Sequence, residues 1–171
     1  VVRRLDLPEA ELLNDMKPKV RQNVRKARRN GVTIEFDEDA RHLDEFMAIY
    51  TETMDRRKPD RAYYWSREFF EALVRDLKGS CFLAHAIANG RIVSSEIILL
   101  SGETAYFFLG GTTAEALHYA ANELLKMEVL LRCRGLGKKA LILGGGSGTQ
   151  PSSADGLLQY KLSIAPQGAV P

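Results

Sequence analysis

The chain has 171 residues, of which 45% are hydrophobic and 27% charged, so it is long and apolar enough for one globular domain with a sizeable core. No apolar run approaches the roughly 18 residues that a membrane-spanning helix needs. The two cysteines, Cys81 and Cys133, lie in apolar contexts without a CxxC pattern, which predicts buried free thiols in a reducing compartment and no structural metal. We therefore expect a single cytoplasmic domain over residues 1–171.

A basic stretch lies near the start of the chain, where seven Lys and Arg residues occur between Lys17 and Arg29 with no acid among them. The net charge is only +2, and the rest of the chain holds 17 basic against 22 acidic residues, so the positive charge is concentrated here. Such a segregated stretch is typical of a site for phosphates or another polyanion. The alternative is a solvated helix face.

Two helices are predicted before the first recognisable strand. The pattern Asp6-x-x-Glu9, with a proline between the two acids, marks a helix start. Apolar residues then recur every three or four positions as far as residue 27. Pro18 divides this stretch into two helices or kinks it, and Gly31 is placed where a helix C-cap would be.

The next part of the chain alternates between short elements. VTIEF has the period of a strand, and residues 39–55 have the period of a helix. The polar segment DRRKPDRAYYW predicts a loop, after which Ser66 is expected to cap another helix.

A run of strands follows. CFLAHAIA, RIVSSEIILL and TAYFFLG are separated by the turns Asn89-Gly90 and Ser101-Gly102, which predicts an antiparallel meander. A helix over about residues 119–134 and a strand in KKALILGGG complete the pattern. This order predicts an α/β fold with a mixed, largely antiparallel sheet and helices on both faces, and it is similar to the core order of the N-acetyltransferase (GNAT) superfamily.

Three stretches together resemble the second acyltransferase-like, GNAT-like domain of the Fem-type (FemABX-like) peptidoglycan aminoacyltransferases. They are KVRQNVRKARRNGVTIEF, AANELLKMEVLLRCRGLGKKALILGGG and SADGLLQYKLSIAP. The last one carries an aromatic-Lys pair, with Tyr160 where the family usually has Phe. The family's first domain has no counterpart here, and the chain opens VVRRLDLPEA without Met, so we expect the C-terminal part of a longer two-domain protein.

The resemblance implies the activity and the partners. Such enzymes transfer an amino acid from an aminoacyl-tRNA donor to an amine of the stem peptide on a nucleotide- or lipid-linked peptidoglycan precursor. They need no cofactor and no metal, and positioning with electrostatic stabilisation suffices for the reaction. The resemblance also implies a face that meets the N-terminal domain or supports self-association, and a location in the cytoplasm or at the inner membrane surface.

Two residues are assigned to catalysis through the resemblance. Lys161 would stabilise the developing oxyanion or the donor's phosphate and ribose region, and Tyr160 would pack against or hydrogen-bond the donor. The alternative for Lys161 is a surface lysine on a terminal strand.

Four further residues are assigned to substrate binding. Arg21 and Arg25 lie one helical turn apart, so both can point at one phosphate group, and Asn23 can orient a neighbouring group. Tyr106 lies on a central strand of the meander, where a core position is the alternative. Glu96 interrupts an apolar strand and is a weaker candidate for a general base, with a solvent-facing position as the alternative.

Other patterns are set aside. GGGSGTQ lacks the Lys-Ser/Thr of a phosphate-binding loop. Asp155 and Asp60 are weaker candidates than Glu96 for a general base. His42, His85 and His118 have no metal-ligand spacing. The loop before the long helix lacks the pattern with which acetyltransferases hold coenzyme A. Two alternatives stay open: an acyl-CoA-dependent N-acyltransferase acting on a sugar or polysaccharide precursor, and a non-catalytic RNA-binding module.

Overall fold

A computed structural model describes residues 1–59, 61–146 and 154–169 of the chain. Within them the strands are β1 Val2–Arg4, β2 Thr33–Asp37, β3 Cys81–Ala88, β4 Arg91–Ser101, β5 Thr104–Thr112 and β6 Ala140–Ile142. The helices are α1 Glu9–Asn14, α2 Pro18–Arg29, α3 Leu43–Arg57, α4 Arg67–Asp76, α5 Ala116–Tyr119, α6 Ala121–Gly135 and α7 Gly156–Ile164.

The strands form one mixed sheet with the order β1-β6-β5-β4-β3-β2. Every neighbouring pair is antiparallel except β5 and β6, which run parallel because the α6 crossover joins them. The β3–β4 hairpin turns at Asn89 and Gly90, with φ of 51° and 72°, and Asn and Gly are the residues that tolerate this left-handed backbone. The predicted mixed and largely antiparallel sheet is confirmed.

Helices cover both faces of the sheet, and each face has its own core. On one face α1, α2, α6 and α7 bury side chains that include Leu12, Val24, Leu125 and Ile164. On the other face α3 and α4 pack Phe46, Tyr50 and Phe70 against Leu83 and Ile97. Alternate residues of each strand therefore point to different helical layers, as the period of a strand requires.

Most of the predicted helix ends are confirmed. Pro18 is the first residue of α2, where its missing N–H costs nothing, and Gly31 follows this helix with a φ of 71°. The Ser66 side chain caps α4 by accepting a 3.3 Å hydrogen bond from the Phe69 amide. The helix start predicted from Asp6-x-x-Glu9 is confirmed, because α1 begins at Glu9 after Pro8, while the Asp6 side chain pairs with Arg4.

Two elements differ from the sequence prediction. The edge strand β1 was not predicted, because its three residues are too few to show a period. The segment around Lys161 is the helix α7 and not a terminal strand, and Asp155 caps it by accepting hydrogen bonds from the amides of Leu157 and Leu158 at 2.9 and 3.1 Å. Asp155 therefore has a structural role that explains its position in the glycine-rich segment.

Glycine at position 111 lets α3 approach the sheet. A Cβ at Gly111 would lie 2.7 Å from the Ile49 carbonyl oxygen and 2.9 Å from Thr53 Oγ1. Thr53 Oγ1 also accepts a 2.8 Å hydrogen bond from the Thr112 amide, so helix and strand are joined at this point. The close contact positions α3 beside the last residues of β5.

We expect Gly111→Ala to lower the free energy of unfolding by about 1–3 kcal/mol, because the added methyl group must push α3 away from β5. Urea unfolding followed by circular dichroism measures this. Gly135→Ala is the matched control, since nothing lies within 4 Å of its added Cβ and alanine favours a helix. Equal stability of the two variants would contradict the close packing of α3 on Gly111.

Candidate functional site

Strands β5 and β6 are paired over only three residues of each strand. Their pairing ends at Tyr106 and Ile142, whereas β5 continues to Thr112. On its other side β5 carries an irregularity, because Ile97 pairs with Leu109 and Ile98 with Phe107, which leaves Phe108 without a partner. A bulge of this kind re-aims side chains and interrupts the ladder. We call the place where this pairing ends the opening between β5 and β6; one face of the sheet there is covered by α6 and α7 and the other by α3 and α4.

Lys161 of α7 lies at the α6 and α7 side of this opening. Its side chain is buried, with the residue 8% exposed, and Nζ donates a 2.7 Å hydrogen bond to the Gly145 carbonyl oxygen just beyond β6. The same Nζ lies 5.6 Å from the centroid of the Phe107 ring. A Cβ at Gly144 would lie 3.3 Å from Nζ, so the glycine leaves room for the ammonium group.

The surroundings of Lys161 favour its neutral form. Burial, with the charge of nearby Lys126 added, lowers the pKa of Lys161 to about 8, and Asp155 opposes this shift only in part. A lysine with such a pKa exchanges its proton readily near neutral pH. The alternative of an ordinary surface lysine is therefore wrong.

Lys126 forms a buried ion pair next to Lys161. Its Nζ lies 2.5 Å from Glu96 Oε2, and the same Nζ is 3.8 Å from the centroid of the Phe107 ring. Two ammonium groups therefore flank one aromatic ring, which attracts cations through its electron-rich face. A Cβ at Gly110 would lie 3.0 Å from Phe107 Cε2 and 3.1 Å from Glu96 Cβ, so this glycine makes room for both side chains.

Glu96 is a partner of Lys126 and not a free base. The alternative of a solvent-facing position is wrong, because Glu96 is buried. Its Oε1 has no hydrogen-bond partner among the described residues, whereas Oε2 accepts from the ammonium group of Lys126. Because Glu96 Oε2 is occupied by the ammonium group of Lys126, the prediction of Glu96 as general base gains no support.

Tyr160 joins α7 to the first turn of α6. Asn122 Nδ2 donates a 2.7 Å hydrogen bond to the Tyr160 hydroxyl, and Asn122 Oδ1 accepts a 3.3 Å hydrogen bond from Ser94 Oγ on β4. Burial, with the nearby carboxylates of Glu123 and Glu96 added, raises the pKa of Tyr160 well above its ordinary value. The hydroxyl therefore stays protonated and fixes the helix that carries Lys161.

The residues predicted on α2 do not converge on one ligand. Arg21 donates from Nη1 to the carbonyl oxygens of Asn14 and Met16 at 2.7 and 2.5 Å, so it satisfies the end of α1. Arg25 is exposed and makes no hydrogen bond or ion pair among the described contacts. Asn23 donates a 2.7 Å hydrogen bond to Glu123 Oε1 on α6. The prediction that Arg21 and Arg25 grip one phosphate is not supported by this arrangement.

Tyr106 lies on the other face of the sheet from Lys161. Ala105 and Phe107 point to the α2 and α6 core, and Tyr106 is paired with Leu99, which packs on the α3 and α4 side. Tyr106 is nevertheless the last β5 residue paired with β6, and it is 37% exposed. The alternative of a core tyrosine is wrong, and the residue borders the opening from its second side.

Sequence reasoning missed Phe107, Asn122 and Lys126. Lys126 could have been found from the run LLKM, where a charged residue interrupts an apolar helix. Glu96, which interrupts an apolar strand, was the matching signal for its ion-pair partner. Asp60 and residues 147–153, which hold the end of GGGSGTQ, lie outside the described residues. Among the described His, Cys, Asp and Glu residues, no group of three or more is arranged to hold a metal ion.

Solved structures share the fold at low sequence identity. FemX superposes with a TM-score of 0.76 at 16% identity over 95% of this chain and 57% of FemX. The C-terminal domain of a putative lysylphosphatidylglycerol synthetase from Agrobacterium fabrum superposes with a TM-score of 0.64 at 18% identity. The match covers 84% of this chain and 45% of the synthetase chain. An aminoglycoside acetyltransferase from an uncultured soil metagenomic sample superposes with a TM-score of 0.60 at 14% identity. The match covers 82% of this chain and 91% of the acetyltransferase.

The chain thus spans a little over half the length of FemX. None of the curated protein sequences matches it significantly. In the part of the chain that the structure describes, no helix has the length and apolar character to cross a membrane. The family model of the acetyltransferase (GNAT) domain matches residues 14–161, and the sheet described above has the same mixed architecture. The chain belongs to the acetyltransferase (GNAT) domain family.

Proposed function

We propose that this protein transfers an aminoacyl group from aminoacyl-tRNA to an amine of the stem peptide on a peptidoglycan precursor. The observation that carries the proposal is the buried Lys161 ammonium at the opening between β5 and β6, held by the Gly145 carbonyl. The same residue belongs to the aromatic-Lys pair of the Fem-type resemblance. The fold shared with FemX supports the proposal, and so does the likeness to a lysylphosphatidylglycerol synthetase domain.

The reaction needs a group that gives and takes one proton. The acceptor amine attacks the ester carbonyl, the new C–N bond forms, and the C–O bond to the ribose then breaks. The Lys161 ammonium stabilises the oxyanion and donates a proton to the leaving ribose oxygen. The resulting neutral amine of Lys161 takes up the proton that the attacking nitrogen must lose, so no proton is gained or lost overall. A pKa of about 8 suits both steps.

The rest of the site keeps Lys161 in place. Asp155 begins α7, and the hydrogen bond from Asn122 to Tyr160 fixes this helix against α6. The Lys126 ammonium beside Phe107 lowers the affinity of Lys161 for its proton. In the proposal, Tyr160 therefore acts by positioning Lys161, which refines the role that the resemblance implies for it.

The exposed basic side chains of α2 serve the tRNA donor in this proposal. Lys17, Lys19, Arg25, Lys26 and Arg29 are exposed, and no ion pair to any of them occurs among the described residues. Such side chains attract the phosphate backbone and release its counterions on binding. Because the chain spans a little over half of FemX, we propose that a further domain of the whole protein completes the acceptor site.

The decisive experiment incubates the intact protein with a panel of charged tRNAs and a cell-wall precursor. We expect a mass increase of the precursor by one amino acid residue. Acetyl-CoA replaces the charged tRNA in a parallel reaction, which tests the acyl-CoA-dependent alternative. Transfer from acetyl-CoA alone, or binding of RNA without any transfer, would refute the proposal.

We expect Lys161→Met to lower turnover about a hundredfold or more at saturating substrates, because it removes charge stabilisation that develops only in the transition state. Donor and acceptor binding should change little. Lys161→Arg should restore little activity, since a guanidinium does not release its proton near neutral pH. Single-turnover assays with radiolabelled aminoacyl-tRNA measure the effect. An unchanged rate for Lys161→Met would refute the catalytic role.

The pH dependence should distinguish the ammonium from the neutral amine. For an alkyl amine acceptor with a pKa near 10, the rate rises tenfold per pH unit as the acceptor loses its proton. Above pH about 8 the Lys161 ammonium is lost as the acceptor gains its neutral form. The loss of the one should cancel the gain of the other, so the rate should level off above this pH. The residual activity of Lys161→Met should continue to rise up to about pH 10. A wild-type rate that rises unchanged through pH 9 would contradict the role of the ammonium.

Arg25 and Arg21 should behave differently when their charge is reversed. Arg25→Glu should weaken tRNA binding several-fold at low salt, and less at high salt, without loss of stability, because its side chain only faces solvent. Arg21→Glu should lower the free energy of unfolding by about 1–3 kcal/mol, because the carbonyls that it satisfies lose their donor. Filter binding at several salt concentrations and urea unfolding measure the two effects. Lys78→Glu makes the same change of charge on the opposite helical layer, so it is the control for the effect of net charge on tRNA binding.

A further inference from the structure

A buried ion pair lies beside Lys161, and the proposed reaction gives it no bond-making step. Lys126 of α6 and Glu96 of β4 are 3% and 2% exposed, and Lys126 Nζ lies 2.5 Å from Glu96 Oε2. Replacing such a pair by uncharged side chains often leaves stability unchanged or raises it, because taking two charges out of water offsets their attraction. Stability of the fold therefore does not by itself account for this pair.

The ion pair is close to Lys161 because the two lysines share one aromatic ring. Lys126 Nζ is 3.8 Å and Lys161 Nζ 5.6 Å from the centroid of Phe107. Whatever their directions from the ring, the two nitrogens are less than about 10 Å apart. Inside a protein, a unit charge at this distance changes the affinity of another group for its proton about tenfold.

Three charged groups face the Lys161 ammonium. After burial itself, the charge of Lys126 lowers the pKa of Lys161, and the Asp155 carboxylate at the start of α7 raises it. The third group is the amino group of Val1, which donates a 2.9 Å hydrogen bond to the Gly144 carbonyl oxygen. Burial and then the charge of Lys161 lower the pKa of this amino group. Lys126 is the member of the three that a buried carboxylate holds in place.

The helix that carries Lys126 also fixes the position of Lys161. Asn122 lies four residues before Lys126, so both side chains project from the same face of α6. Asn122 Nδ2 donates a 2.7 Å hydrogen bond to the hydroxyl of Tyr160, the residue next to Lys161. One face of α6 therefore supplies both an anchor for α7 and the charge that faces its lysine.

We propose that Lys126 and Glu96 are positioning residues for the acyl transfer. The Glu96 carboxylate holds the Lys126 ammonium beside the Phe107 ring. The repulsion between the two ammonium groups then makes Lys161 a better proton donor to the leaving oxygen. The inference rests on the proposed function for the identity of the reaction, and in it neither member of the ion pair contacts the reacting atoms.

An NMR titration of the full chain without substrates tests the effect of the charge directly. The lysines are labelled with carbon-13 at Cε, and the Lys161 signal is assigned by its absence from Lys161→Arg. We expect a wild-type midpoint at about pH 8. Glu96→Gln combined with Lys126→Met removes both charges together and should raise this midpoint by about one pH unit, a tenfold change in proton affinity.

Two further variants separate charge from packing. Lys126→Arg keeps a positive charge that stays protonated throughout the titration, so the Lys161 midpoint should remain near its wild-type value. Arg28→Met combined with Glu128→Gln is the matched control, because it removes an ion pair between α2 and α6 that is partly exposed to solvent. The control should leave the midpoint unchanged. Circular dichroism checks that all variants are folded.

The pH dependence of transfer gives a second readout. In Glu96→Gln combined with Lys126→Met, the pH above which the rate levels off should move with the Lys161 midpoint, from about 8 to about 9. Donor binding should change little. A merely structural role of the ion pair would lower the rate at every pH and leave the levelling pH where it is.

Three results would overturn the inference. They are a wild-type Lys161 midpoint near the ordinary value of about 10.4, an equal midpoint with and without the ion pair, and an equal rise in the control. The first needs no variant, so it decides even where a variant fails to fold. The titration contains neither acyl donor nor acceptor, so a failure here leaves the proposed aminoacyl transfer to be judged by its own assay.

Discussion

The burial of two ammonium groups around one phenylalanine ring is the constraint on which the rest of the site depends. Lys126 and Lys161 both contact the ring of Phe107, and only Lys126 forms an ion pair among the described residues, with Glu96. Charge in a protein interior is unfavourable unless it is paired or hydrogen-bonded. The second ammonium, that of Lys161, donates in the described part of the chain only to the carbonyl of Gly145, and burial together with the charge of Lys126 lowers its pKa to about 8. A proton held this loosely is available for chemistry.

Holding this arrangement requires rigid support from two helices and two strands. Lys126 is on α6, Lys161 on α7, Phe107 on β5 and Glu96 on β4, and each is positioned by an element that packs on the same face of the sheet. The glycines at 110 and 144 leave space where any side chain would press on Phe107, Glu96 or Lys161. Gly110 provides room without a left-handed backbone, whereas Gly144 provides room and also has a φ of 79°.

The separation of β5 from β6 gives the two faces of the sheet a shared opening. The α6 and α7 side has buried charge and hydrogen-bonding groups, whereas the α3 and α4 side has the exposed rings of Tyr63, Tyr64 and Trp65. The proposed reaction uses these two sides for its two substrates, since the fold alone does not determine which molecules are joined.

The sequence by itself determined the order of elements, the hairpins and the main helix ends, because these depend on local periods, turn residues and caps. A short motif also predicted Lys161 as a candidate catalytic residue. Only the tertiary structure decided what surrounds that lysine, since the contacts of Lys126 with Glu96 and of Asn122 with Tyr160 join residues 30 and 38 positions apart. Only the tertiary structure likewise shows that Arg21 and Arg25 have different surroundings, and that Tyr106 lies on the face of the sheet opposite Lys161. Strand register, the bulge at Phe108 and helix packing fix these positions, and none of them has a period that can be recognised along the chain.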